Sequence, residues 1–170
     1  LSDDVWVVAP ETNQSGKGHS LSLHEPLRLR ELTDKAYAVR GTPTDCVIMA
    51  VRHIFGGKLP DLVLSGINRG ANLGEDIFYS GTVGGAREGT FFGLPAVAFS
   101  LAAKAEMDFS HAAAFAARLV ALVLEKGLPE RTLLNVNVPP GRPRGTAITI
   151  QGRREHEGTI LEALDPRRRT

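Results

Sequence analysis

Leu62-Val63-Leu64-Ser65, then Gly66-Ile67-Asn68-Arg69-Gly70-Ala71-Asn72-Leu73-Gly74-Glu75-Asp76, then Tyr79-Ser80-Gly81-Thr82-Val83-Gly84-Gly85, is the stretch that decides the fold. Its apolar run Leu62–Leu64 is short and shows no in/out alternation, as in a strand covered on both faces of a parallel sheet. The loop that follows is rich in glycine and small polar residues, and a helix predicted from about Thr82 to Phe92 comes after it. Gly84, Gly85 and Gly89 lower the helix propensity of that segment but let its backbone approach a neighbour closely.

Working outward, the same alternation recurs. Further apolar runs lie at Val5–Ala9, Ala96–Phe99, Leu133–Val138 and Ala147–Ile150. A helix starting after Thr42 has its cap, Pro43 at the first helical position and Asp45 three residues after the cap. Its apolar positions Cys46, Met49, Ala50 and Ile54 recur three or four apart, and Gly56-Gly57 can end it. A third helix, about Ser110 to Lys126, sets Phe115, Leu119, Val120 and Val123 on one side and closes at Gly127. Between the first strand and first helix, Ser20–His24, Leu27–Arg30 and Tyr37–Arg40 alternate as a hairpin or extended arm, spanning 20–40, outside the parallel core. The expectation is a single α/β domain over 1–170, with a three-layer, Rossmann-like, mainly parallel sheet, helices on both faces and an extended β-hairpin arm.

Composition narrows the function classes. The chain has 170 residues, 42% of them hydrophobic, enough for one core. Lys and Arg number 20 against 19 Asp and Glu, so no global field recommends a nucleic acid polymer or an anionic membrane. The single Cys46 excludes an internal disulfide and a cysteine-rich zinc site and fits a reducing compartment, which makes cytoplasm the expectation. On the apolar side of its helix and with no base beside it, Cys46 reads as a small core residue. No apolar run approaches the roughly 20 residues of a membrane span, and the opening Leu1-Ser2-Asp3-Asp4 has no signal-peptide pattern. A strand-like run begins almost at once and the chain closes in Arg167-Arg168-Arg169, so both ends read as cut.

In open α/β folds ligands bind at the carboxyl ends of the strands. Two loops there carry the chemistry: Pro10 to Ser20, reading PETNQSGKGHS, and Gly66 to Asp76. Ser80-Gly81-Thr82, leading into the glycine-bearing helix, offers backbone donors and the favourable end of a helix dipole to a phosphate. The side-chain oxygens of Ser15 and Asn68 are hard neutral ligands suited to Mg²⁺ or Mn²⁺ when a carboxylate or two supplies the charge. Arg69 and Arg87 can meet phosphate or pair with Glu75, Asp76 or Glu88, the surface pair being the expected state of Arg87.

Val-Ala-Pro-Glu with Asn-Gln-Ser-Gly-Lys-Gly-His-Ser, Gly-Thr-Pro-Thr-Asp-Cys-Val, Leu-Ser-Gly-Ile-Asn-Arg-Gly-Ala-Asn-Leu-Gly and Tyr-Ser-Gly-Thr-Val-Gly-Gly-Ala-Arg-Glu-Gly resemble four signature blocks of the SurE nucleotidases, in the family's order, over about Val7 to Gly89. The resemblance implies a metal-dependent phosphomonoesterase acting on nucleoside 5′- and 3′-monophosphates, in a homodimer or homotetramer. Short polyphosphate presents the same terminal phosphate to the cradle and is a second candidate substrate. The resemblance also implies Ser15 and Asn68 as ligands of a divalent metal and Ser80, Gly81 and Thr82 around the phosphate. His19, by its place in the first loop, is a candidate catalytic contact to phosphate or leaving group, or one of five histidines with a structural role. Two further family ligands, adjacent aspartates in an Asn-Asp-Asp-Gly turn after the first strand, have no counterpart. Asp3-Asp4 precedes a strand instead of following one and reads as a solvated turn. The family pattern thus implies a strand and a helix upstream of Leu1, and the chain as it stands is expected to bind metal weakly. The residues leave the attacking group open between water and an aspartate.

Three other readings compete. A dinucleotide oxidoreductase fails on spacing, since Gly66, Gly70 and Gly74 do not form G-x-G-x-x-G and the next strand ends Phe99-Ser100 without the ribose-binding acid. A non-catalytic nucleotide- or phosphate-binding module would keep the Ser80-Gly81-Thr82 cradle and need no metal. An assembly element would use the 20–40 hairpin to trade strands between subunits.

Overall fold

A computed structural model describes residues 4–103 and 107–153. Leu1-Ser2-Asp3 and the arginine run Arg167-Arg168-Arg169 lie outside the described residues. The strands are β1 (Val7–Pro10), β2 (Arg28–Thr33), β3 (Ala36–Arg40), β4 (Val63–Arg69), β5 (Ala96–Leu101) and β6 (Leu133–Val138). The helices are α1 (Pro43–Met49), continued by a π-helical turn over Ala50–Ile54, then α2 (Asp76–Tyr79), α3 (Gly81–Phe91) and α4 (Ser110–Lys126).

The strands form two three-stranded sheets. In one, β5 lies between β4 and β6 and both pairings are parallel. All six residues of β5 are buried, and its alternation divides them between two helix layers. Ala96 and Ala98 pack with Val83 and Ala86 of α3, while Val97 and Phe99 pack with Val120 and Val123 of α4. Alanines face α3 and bulkier residues face α4, so the glycine-bearing helix comes closest to the sheet. The other sheet has the order β1-β3-β2, with β1 parallel to β3 and β2 antiparallel to it. Trp6 stacks on Tyr37 and meets Phe55 edge-on, which ties β1, β3 and the end of the first helix together.

Three expectations change in detail. Ser20–His24 forms no strand, because its polar groups are drawn to α1: Ser22 donates its backbone N–H and its hydroxyl to Asp45, and the Ser20 carbonyl accepts from Thr42. The hairpin is thus Arg28–Thr33 with Ala36–Arg40, and β3 adds to β1 in a sheet. Ala147–Ile150 also forms no strand; among the described residues no sheet edge meets it, and Ile148 and Ile150 stand fully exposed. Finally, β4 continues past Leu64 through Ser65 to Arg69, with an extra residue between Ser65 and Asn68 relative to β5. No helix of the described residues is long and apolar enough to cross a membrane.

Candidate active site

The loops leaving β1 and β4 meet the start of α3 at one end of the molecule. Ser15, Asn68, Ser80, Gly81 and Thr82 all line one cleft of about 610 Å³. A smaller cleft of about 450 Å³ is lined again by Asn13, Ser15, Asn68, Arg69 and Thr82. Five of the six residues marked out by sequence therefore come together. His19 does not line either cleft: its Nε2 lies 2.8 Å from Glu88 Oε2 on α3, and its ring packs 5.3 Å from that of Phe91.

Each side chain has a local reason for its place. Ser15 is set by Asn13, whose Oδ1 accepts the Ser15 backbone N–H at 2.9 Å and its hydroxyl at 2.7 Å. This turn chemistry is common for Asn two residues ahead of a bend. Asn68 sits just after the bulge in β4, a feature that re-aims side chains at strand ends. Its Nδ2 donates to the Arg69 and Gly70 carbonyls at 3.2 and 2.9 Å, which leaves Oδ1 as the oxygen for a ligand. Ser80 caps α3: its Oγ accepts from Val83 N–H at 3.1 Å, and its carbonyl takes the Gly84 N–H. The N–H groups of Gly81 and Thr82, in the first turn, have no intrahelical acceptor.

The glycines of α3 explain how that helix start reaches the cleft. A Cβ on Gly84 would lie 2.6 Å from the Gly18 carbonyl oxygen, and one on Gly89 would lie 2.9 Å from the Val63 side chain. The helix is thus seated directly on the loop after β1 and on β4, and the His19–Glu88 contact holds the same seam.

Asn72, a residue the sequence marks as shaping its loop, fixes the chain after β4 through partners that the sequence reading missed. Asn72 is buried; its N–H donates to Asn137 Oδ1 and its Nδ2 to Ser100 Oγ, while Asn135 and Asn137 both donate to its carbonyl. Asn135 and Asn137 alternate with apolar residues in Leu133–Val138, and two amides at a two-residue interval in a covered strand are the signal that could have revealed it.

The cleft supplies only part of what a hard divalent ion needs. Ser15 and Asn68 offer two neutral oxygens, whereas Mg²⁺ normally takes one or two carboxylates as well. Glu11 and Asp76 line the larger cleft but not the smaller, Glu11 is paired with Arg30, and no group of three or more His, Cys, Asp or Glu forms a metal cluster among the described residues. Asp4 lies before β1, at the end opposite Pro10, where the Lys35 ammonium and the Trp6 indole hold its carboxyl below the usual range. The described residues therefore fit only the neutral side of a metal site.

Fold and cleft together define a layered α/β protein whose pocket opens at the carboxyl ends of its strands. The model of one family, described as survival protein SurE, matches residues 1–158, and the chain belongs to the SurE family. It is 55% identical over 161 residues to a protein named 5′-nucleotidase SurE from Bradyrhizobium sp. (strain BTAi1 / ATCC BAA-1182), covering 91% of this chain and 63% of that one. With the 5′-nucleotidase SurE of Myxococcus xanthus (strain DK1622) it shares 50% identity over 167 residues, 98% of this chain and 64% of the relative. The crystal structure of the SurE protein from Aquifex aeolicus superposes with a TM-score of 0.86 at 47% identity, over 94% of this chain and 66% of that one. The chain spans just under two thirds of the length of these relatives.

Proposed function

We propose that the intact protein is a divalent-metal-dependent phosphomonoesterase that hydrolyses nucleoside 5′- and 3′-monophosphates to nucleoside and phosphate. The observation that carries this reading is the convergence of Ser15, Asn68 and the capped start of α3 on one cleft. The relatives' shared name, 5′-nucleotidase, supports it. Short polyphosphate ends in the same group and falls within the reading, as do assembly into a homodimer or homotetramer and a cytoplasmic setting.

In this reading the phosphate sits against the first turn of α3. Its oxygens accept from the Gly81 and Thr82 N–H groups, where the helix dipole favours negative charge. The Ser80 hydroxyl already accepts from Val83, so its own proton remains to be donated to a phosphate oxygen. Fixed donors of this kind stabilise the charge on the equatorial oxygens of a transferring phosphoryl group without reorganising. Ser15 and Asn68 would face a Mg²⁺ or Mn²⁺ ion, which supplies Lewis-acid charge when bound. His19 enters as a positioning residue that holds the Gly18–His19 backbone to α3 through Glu88; direct proton transfer would require it to leave Glu88.

The test is phosphate release by the intact protein from 5′-AMP, 3′-AMP and short polyphosphate with Mn²⁺ or Mg²⁺, and again with EDTA. Release that EDTA abolishes is the expected result. Nucleotide binding without release from any of the three would contradict it and leave a phosphate-binding module.

A further inference from the structure

Among the described residues Arg69 is the one basic side chain lining either cleft, and it lines both. It ends β4, next to Asn68, and is exposed. Among the described residues it makes no ion pair: Glu88 is engaged by His19 and Glu11 by Arg30. Arg87 is likewise without an ion pair there, but it lines neither cleft. Arg69 lines the smaller cleft together with Ser15, Asn68 and Thr82, and among the described residues no carboxylate lines that cleft. The net local charge of that cleft is therefore positive, which suits an anion and disfavours a lone cation. An unpaired guanidinium keeps its full fork of donors for phosphate oxygens, since no carboxylate competes for it.

We propose that Arg69 is a substrate-binding residue that grips the dianionic phosphate beside the start of α3, and that this grip holds phosphate even without metal. The proposal rests on the phosphomonoesterase reading for its substrate, yet it concerns binding rather than turnover. The cleft then works in two parts: Arg69 and the first turn of α3 recruit the phosphoryl group, while Ser15 and Asn68 face the ion needed for hydrolysis. Because Arg69 is exposed, its contribution is screened by salt, whereas the backbone donors of α3 are less so.

Binding of inorganic phosphate and of AMP is measured by calorimetry on the intact protein in EDTA, at low and at raised ionic strength. Arg69→Gln is expected to weaken both ligands about tenfold and to flatten the salt dependence, with Arg69→Lys intermediate. Arg118→Gln, on the exposed face of α4, serves as the charge control and is expected to bind as the parent does. Unfolding midpoints that match the parent show that the exposed substitution leaves the fold intact. Equal binding by Arg69→Gln and the parent, or parent binding that appears only with metal, would overturn the proposal. Phosphate release from AMP, assayed separately with Mn²⁺, reports on the phosphomonoesterase reading, so either can fail without the other.

Discussion

Two residues, Gly66 in β4 and Cys46 in the core, carry consequences that neighbouring positions do not. Gly66 has φ of +122° within the bulge of β4, and a Cβ there would meet the Phe99 carbonyl oxygen. That backbone region strongly favours glycine, and the obstacle is backbone, which cannot swing aside. Gly66→Ala is expected to cost about 3 kcal/mol or more in urea unfolding and to shift Asn68 out of the cleft. Cys46, only 2% exposed, is held neutral: burial, and then the Asp45 carboxylate, push its thiol from an ordinary 9.0 up to about 12. The folded thiol keeps its proton where the unfolded one loses it, so stability falls as pH rises from 9.0 towards about 12. Compared with Cys46→Ala, the parent should lose up to about 1.4 kcal/mol more per pH unit within that window. A thiol reagent at pH 8 should label it only after unfolding.

At the scale of elements, α1 shows how a short local motif organises chain far from it. Thr42 and Asp45 form a reciprocal capping box, with Asp45 N–H on Thr42 Oγ1 and Thr42 N–H on Asp45 Oδ2. The same carboxylate takes two bonds from Ser22, and Thr42 holds the Ser20 carbonyl. Asp45→Ala should therefore cost about 3 kcal/mol in urea unfolding, above the roughly 1 kcal/mol of an ordinary cap, because it also strands buried donors. Ser22→Ala should cost nearer 1 kcal/mol. The capping signal was legible in four residues of sequence, and α4 and β6 were legible in period and length. Ser20–His24 was not, since its alternation looks like a strand until the carboxylate that captures it is located. Ala147–Ile150 misled for the complementary reason: an apolar run specifies a strand only where an edge is present to pair with it. The extension of β4 through Asn68 was hidden behind Gly66, which reads as a loop but builds a bulge.

At the scale of the whole molecule, the site is a meeting of loops that are far apart in sequence. Sequence showed the residue types at each strand end, and chemistry plus family resemblance singled out Ser15, Asn68 and Ser80 to Thr82. Their convergence depends on two sets of partners that a linear reading does not contain: Gly18 and Val63, on which the glycines of α3 seat that helix, and the Asn72 network that ties the loop after β4 to β5 and β6. His19 lies in the same loop as Ser15, yet its partner in the fold is Glu88, 69 residues away. The central claim is that the β1 and β4 loops build one working site. The most direct measurement is AMP turnover by the intact protein in Mn²⁺ through a cycle of Ser15→Ala, Asn68→Ala and the double variant. Residues that act as a unit are strongly non-additive, so each single change should lower kcat/KM about 100-fold and the double should be little worse than the worse single. Losses that multiply to about 10⁴, or single variants that turn over AMP as the parent does, would contradict the claim.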